Sequence, residues 1–437
     1  MSLKDKLISS FKSLEKNPNP ELQALKESEL RNFEDFGFPS KKEEAWKYTS
    51  LKSILKADYS LFPNGENSVS KEDLKPYLMD SIASHQLVFI DGNFSAEFST
   101  PFQEDYQVLQ LSEAFKDEAC KTIIEQHFNK VTPENNGLNS LNTAFSREGA
   151  FIHIPKNKVT EKPIQLLYIS TGSEAAVMTQ PRNLIVVGEN AQAKIMERHQ
   201  SLTENQVLTN SVTEIFLEKR AMLDYYKIQN DRRDASLIDN TYVEQHDDSV
   251  ASVHTFSFGG KLTRNNLNFY QKGEHINSIM KGVTVIEDKQ HVDHNTLVHH
   301  QQPNCESHQD YKSIFDGKST GVFNGKVLVD KIAQKIFAYQ SNNNVLVSDR
   351  ATINSKPQLE IFADDVECSH GCTVGQLDDE ALYYFKTRGI PDKEARALLM
   401  YAFANTVLNS VKIPELSQRI NGLIAKKLNV DLGYDRD

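Results

Sequence analysis

A mainly β fold is what this sequence predicts: a right-handed parallel β-helix core between an N-terminal mixed, partly helical region and a C-terminal helical region. Three observations carry the prediction. Short β-rich runs succeed one another from Pro163 to about Leu377, among them "NLIVVG", "VTEIFLE", "LDYYKIQ", "SVHTFSFGG" and "TGVFNGKVLV". Many alternate apolar with polar residues, as strands with one buried face do. No helical pattern interrupts these roughly two hundred residues, which excludes a doubly wound α/β domain, whose parallel crossovers are helical. Polar turn patches such as "GENAQAKI", "EKRAMLDYY", "HDDSVASV" and "KGEHINSI" recur at intervals of about 18 to 30 residues. Stacked coils ask for such patches, since each rung covers the last whatever the loop length. A sandwich or closed barrel is the competing arrangement of the same strands.

The chain divides into residues 1–162, 163–377 and 378–437. At the start, Leu7, Ile8, Phe11 and Leu14, then Leu22, Leu25, Leu30 and Phe33, fall at helical spacing. Two helices are expected, broken at "NPNP", because proline lacks the amide hydrogen and restricts the residue before it. In "FPSKKEEAWKYTSLKSIL", Ser40 is placed as an N-cap with Glu43 as its reciprocal partner, and Trp46, the lone tryptophan, is expected to pack on the core. Leu87 to Ile90 reads as a strand turned by Asp91-Gly92, and Leu111 to Phe128 as helical. After Leu377, Leu382 and Phe385 open a helix that Gly389 stops, and Pro391-Asp392 start another. "IPELSQRINGLIAKKLNV" is a further amphipathic stretch. These helices are expected either to cap the open end of the solenoid or to dock a partner.

The composition excludes several classes of function. The 437 residues carry a net charge of -11 with no basic block, so the surface that a phosphate backbone requires is not expected, and nucleic acid is excluded as a partner. No apolar run approaches the roughly 20 residues that span a bilayer, and the first residues lack a signal peptide's apolar segment. A cytoplasmic protein with no membrane contact is expected. Four scattered cysteines, Cys120, Cys305, Cys368 and Cys372, make reduced thiols the expectation rather than a disulfide framework.

"ADDVECSHGCTVGQL", Ala363 to Leu377, concentrates the candidate chemistry. If Glu367 to Thr373 continue a strand, side chains two apart share a face, so Cys368, His370 and Cys372 form one row, with neighbours roughly 7 Å apart. That spacing lets thiolate and imidazole converge on a soft metal such as iron or zinc, while Cys368 and Cys372 stand too far apart for a disulfide. The row supplies three ligands at most, so a closed site within one chain is not expected and a shared one is. Two other readings of the row stay open: a Cys-His nucleophile and base, or packed thiols beside a histidine that satisfies a turn.

A second collection, His291, Asp293, His294, His299, His300, Cys305 and His308, offers a catalytic zinc or iron site for a β-helix or cupin-like metalloenzyme. Strand alternation, however, splits its members between opposite faces. No Gly-rich phosphate loop is present, so neither ATP hydrolysis nor nucleotide binding by this chain is expected.

"PQLEIFADDVECSHGCTVGQLDDEALYYFKTRGIPDKEARALLMYAFANTVL" and "KKEEAWKYTSL" resemble the C-terminal and N-terminal signatures of the SufB/SufD family of iron-sulfur cluster assembly proteins, on its SufD side. The resemblance runs from end to end. It implies a β-helix scaffold that is not itself an enzyme, partnered by the paralogue SufB and the ATPase SufC. A transient iron-sulfur cluster would then form at the SufB junction, with His370 matching the family's cluster-site histidine and Cys368 the neighbouring interface cysteine. Many relatives have Ala where Cys372 stands. The helices from Asp378 onward resemble the segment that docks SufC, with Leu382, Leu398 and Phe403 as candidate contacts. A homodimer of the isolated chain and a flavin in the complex are left open by the residues.

Overall fold

The structure is a computed structural model that describes residues 2–430, apart from 15, 18, 62–68, 80, 101, 103 and 173–174. Its core is a parallel β-helix, flattened into two facing sheets of 11 and 10 strands. Each rung contributes one strand to either sheet, and in-register parallel pairing runs from Ile164–Ser170 to Val366–Gly375. In the ten-stranded sheet successive rungs begin at Gln192, Met222, Val250, Asn277, Glu306, Ile336 and Val366, 27–30 residues apart. The recurring polar patches of the sequence are the turns before four of these strands. A left-handed residue sits in that turn in six successive rungs: Asn190, Arg220, Asp248, His275, Asn304 and Lys335, with φ of 56–61°.

Alternation sorts the strands as the period of two requires. Ile195, Leu223, Tyr225, Val253 and Met280 point inward and meet Ile185, Ile215, Val243 and Phe269 from the other sheet. Both outer faces are covered. The helices Leu3–Phe11 and Pro20–Phe36 and the segment around Trp46 lie on the eleven-stranded sheet, packing Leu7, Phe33 and Trp46 near Leu208, Ile238 and Leu262. Glu43 does accept from the Ser40 amide at 2.8 Å, but only a short 3-10 turn, Glu44–Trp46, follows. Arg264 stacks on Trp46, with its guanidinium carbon 3.8 Å from the ring centroid.

The C-terminal helices Asp379–Thr387, Asp392–Asn405 and Pro414–Leu428 do not cap the solenoid's end. Met400, Ala404, Leu416, Ile420 and Ile424 instead cover Tyr226, Ile228, Phe256, Val283 and Ile314 on the outer face of the ten-stranded sheet. The reason is apolar area: that face presents apolar side chains on six successive strands, from Met196 to Val345, whereas the last rung presents mainly polar ones. The final strands, Thr352–Ile361 and Val366–Gly375, therefore pair on one side only and are largely exposed. The N-terminal mixed region also enters the solenoid, since His85–Ile90 and Ala150–Ile154 pair in parallel with Ile164–Ser170 and Arg182–Val187.

Candidate functional site

The row anticipated from the sequence exists, on the last strand of the ten-stranded sheet. Register places Cys368 on Ala338, His370 on Gln340 and Cys372 on Asn342. All three sit in columns that face the solenoid interior in earlier rungs: Gln340 in turn stacks on Gln309, and both are fully buried, with Gln340 donating to Gln309 Oε1 at 3.1 Å. No further rung follows, so inward-facing positions are here open to solvent.

Each member of the row has a different environment. Cys368 is half-buried against Val327, Ile336, Ala338 and Leu359, and burial pushes its thiol up from the ordinary range. It is protonated at neutral pH and must give up that proton to ligate a metal. Cys372 is exposed, with Sγ donating to Ser355 Oγ at 3.1 Å; Ser355 Oγ donates in turn to Asn342 Oδ1 at 3.0 Å. His370 is exposed and makes no hydrogen bond or ion pair with any described residue. Beneath it, Gln340 Oε1 is a buried acceptor without a partner. Gly371, on the opposite face of the same strand, has open space around its Cα. A free imidazole beside a thiol, on an unobstructed edge, can donate to a soft metal ion while leaving coordination positions for groups from elsewhere.

Ser355 and Asn342 were not legible as neighbours of Cys372. Their contact depends on register between strands thirty and seventeen positions away in sequence, and no motif announces it.

The second collection is dispersed. His291 and Asp293 point outward under Thr49, and His291 Nε2 lies 2.9 Å from Thr49 Oγ1. Asp293 pairs with Arg264 at 2.5 Å. His294 and His300 point inward, onto Thr284 and Ser307. His299 meets Asp330 at 3.0 Å, Cys305 is buried in a turn, and His308 lies on the other sheet beside Glu306. Among the described residues no three His, Cys, Asp or Glu side chains form a group able to hold a metal ion, so the single-chain metalloenzyme reading has no constellation to rest on.

On the C-terminal helices, Leu382 is buried, with 3% of its surface exposed, and its side chain is taken up by packing rather than offered to a partner. Leu398 and Phe403 are half-buried, and Lys312 Nζ stands 5.0 Å from the Phe403 ring centroid. The apolar side chains presented to solvent there are Tyr383 and Tyr384, at 69% and 55% exposure. Among the described residues no helix is long and apolar enough to cross a membrane.

Comparison with known proteins agrees with this architecture. The model of the SUF system FeS cluster assembly SufBD core domain matches residues 168–403, and that of the SufBD protein N-terminal region matches residues 3–166. The chain is 30% identical over 397 residues to an iron-sulfur cluster assembly SufBD family protein of Synechocystis, covering 89% of this chain and 87% of that protein. It is 28% identical over 403 residues to the iron-sulfur cluster assembly protein SufD of Escherichia coli, covering 90% of each, and 25% identical to SufD of Bacillus subtilis, covering 70% of each. A parallel solenoid matched along its rungs to the SufBD core domain, with an N-terminal region of the same family before it, makes this chain a member of the SufBD family of iron-sulfur cluster assembly proteins.

Proposed function

We propose that this chain is a non-ATPase scaffold subunit of a cytoplasmic SufB–SufC–SufD assembly. In this reading it supplies His370 and Cys368 to a nascent cluster shared with SufB, and it docks SufC through its C-terminal helices. The cluster is cargo, built on the scaffold and passed on. The observation that carries the reading is the uncovered last rung: two ten-residue strands with one free edge each, and an unpartnered His370 where an interior position lacks its lid. Such edges pair with strands from another chain, and a solenoid of the same family offers rungs of matching spacing. A second copy of this chain could occupy the same edge in isolation. The partial ligand row fits a site completed from across that junction, and the names of the relatives give the chemistry of the cargo.

The test is iron and acid-labile sulfide per assembled complex, measured after gel filtration with SufB and SufC. His370→Ala is expected to leave assembly intact and lower both contents severalfold. Ser369→Ala, on the outer face of the same strand, is expected to change neither. An unchanged iron ratio in the His370 variant would remove this histidine from the cluster site.

A further inference from the structure

One groove on the solenoid belongs to none of the surfaces described above. It runs along the turns that precede the strands of the eleven-stranded sheet, with a volume of about 510 Å³, and is lined by Arg233, Lys261, Lys289, Lys318 and Arg350 together with Asp234, Asp288, Gln290 and Gly317. The five cations are one per rung. They precede the strands that begin at Ala235, Leu262, His291, Thr320 and Thr352 by two, one, two, two and two residues. In-register pairing stacks those strands, so the cations climb in a line at ~4.8 Å per rung.

Arg233 pairs with Asp288 at 2.6 Å. The side chains of Lys261, Lys289, Lys318 and Arg350 make no ion pair or hydrogen bond with any described residue. Those four like charges on adjacent rungs repel one another, and with Arg233 and Asp288 paired the lining stays positive despite Asp234, in a protein whose net charge is -11. The lining contains no aromatic and no aliphatic side chain, so an apolar or heterocyclic group finds nothing to pack on. Isolated carboxylates gain little from exposed lysines. Phosphoryl groups, with more charge and more acceptor oxygens each, gain more.

We propose that this ladder binds a linear polyphosphate chain, its phosphoryl oxygens gripped rung by rung by Lys261, Lys289, Lys318 and Arg350. Free inorganic polyphosphate and the phosphate tail of a nucleotide share this chemistry, and the two sources differ in the base. The recognition is of repeated charge along a line, so affinity rises with chain length until the phosphates span the rungs and then levels off.

The experiment is calorimetric titration of the full chain with orthophosphate, pyrophosphate, tripolyphosphate, a longer inorganic polyphosphate and ATP. Affinity is expected to increase through the inorganic series and to weaken with added salt as surface charges are screened. ATP is expected to bind no more tightly than tripolyphosphate; markedly tighter ATP binding would show that the base is read and would overturn recognition by the phosphate line. Lys289→Gln combined with Lys318→Gln should weaken longer polyphosphate by about tenfold or more. Lys281→Gln combined with Lys312→Gln, on the outer face of the other sheet, should leave it unchanged. Absence of binding, equal affinity for every chain length, or equal losses in both double variants would overturn the proposal. Circular dichroism of each variant keeps a folding defect distinct from a binding one.

Discussion

Burial holds three imidazoles neutral at residue scale. His294 is lowered to about 4 and His300 to about 3, chiefly by burial inside the solenoid. His254, under the C-terminal helices, is lowered to about 3 by burial and by Lys281 and Lys412. Between these values and the ordinary 6.5 the unfolded chain binds protons that the folded chain refuses. Their contribution to stability is complete above pH 6.5 and is lost as pH falls toward the folded values. Lowering the pH from about 7.5 to about 5.5 should remove about 1.4 kcal/mol for each buried histidine. His246, raised by its hydrogen bond to Glu244, acts in the opposite sense. Urea unfolding at the two pH values should show the loss in the wild type and a smaller one in a His294→Gln, His300→Gln variant. Equal losses in both would assign the acid sensitivity to other groups that the fold keeps unprotonated, such as His254 and His291, which burial also lowers. Strand alternation was enough to separate these inward histidines from His291 and His299. It could not say that Leu382 would be buried, because the side that a terminal helix turns inward depends on what lies beneath it.

At the scale of elements, the helices with a clear apolar stripe were legible, and one without it was not. Gly137–Phe145 is buried at every residue, yet its sequence "GLNSLNTAF" places two asparagines in the interior. Their amide nitrogens are satisfied by distant groups, Asn139 Nδ2 donating to Tyr242 OH at 2.6 Å and Asn142 Nδ2 to the carbonyls of Pro181 and Asn210 at 2.8 and 2.7 Å, while both Oδ1 atoms are buried without a partner. Its first residue is glycine because a Cβ there would stand 2.0 Å from the Gly37 carbonyl oxygen. The helices Asp379–Thr387 and Asp392–Asn405 show the converse: a legible stripe whose outer side carries the consequence. Exposed tyrosines on a helix that already packs its other side are suited to anchor a partner, and a desolvated anchor contributes on the order of 2 kcal/mol. Tyr383→Ala with Tyr384→Ala should therefore weaken SufC binding by at least about tenfold while Tm stays unchanged. Undiminished affinity, read by calorimetry with purified SufC, would place the SufC contact elsewhere.

Across the whole molecule, a solenoid is quasi-one-dimensional: each rung is stabilised by its two neighbours. The succession of alternating runs without helices therefore made the core legible, although the rungs share no sequence motif, and the period of 27–30 residues became regular only once the strands were stacked. What the sequence could not show is which end is closed. At the N-terminal end the antiparallel strands Asn93–Ser95 and Gln107–Gln110 pair with His85–Ile90 and Ala150–Ile154, whereas Thr352–Ile361 and Val366–Gly375 have a neighbour on one side alone. Local opening is easiest where contacts are fewest. In the isolated chain at low concentration, amides of these two strands should exchange hydrogen faster than those of His291–His300 and Glu306–Phe315, two rungs inward. Adding SufB should slow exchange in the two edge strands and leave Pro414–Leu428, on the outer face of the ten-stranded sheet, as it was. Protection that is already present without SufB and disappears on dilution would identify a second copy of this chain as the occupant of the edge. If SufB binds and the edge strands keep exchanging at their isolated rates, the junction lies on another surface, and the proposed sharing of a cluster between His370 and SufB falls with it.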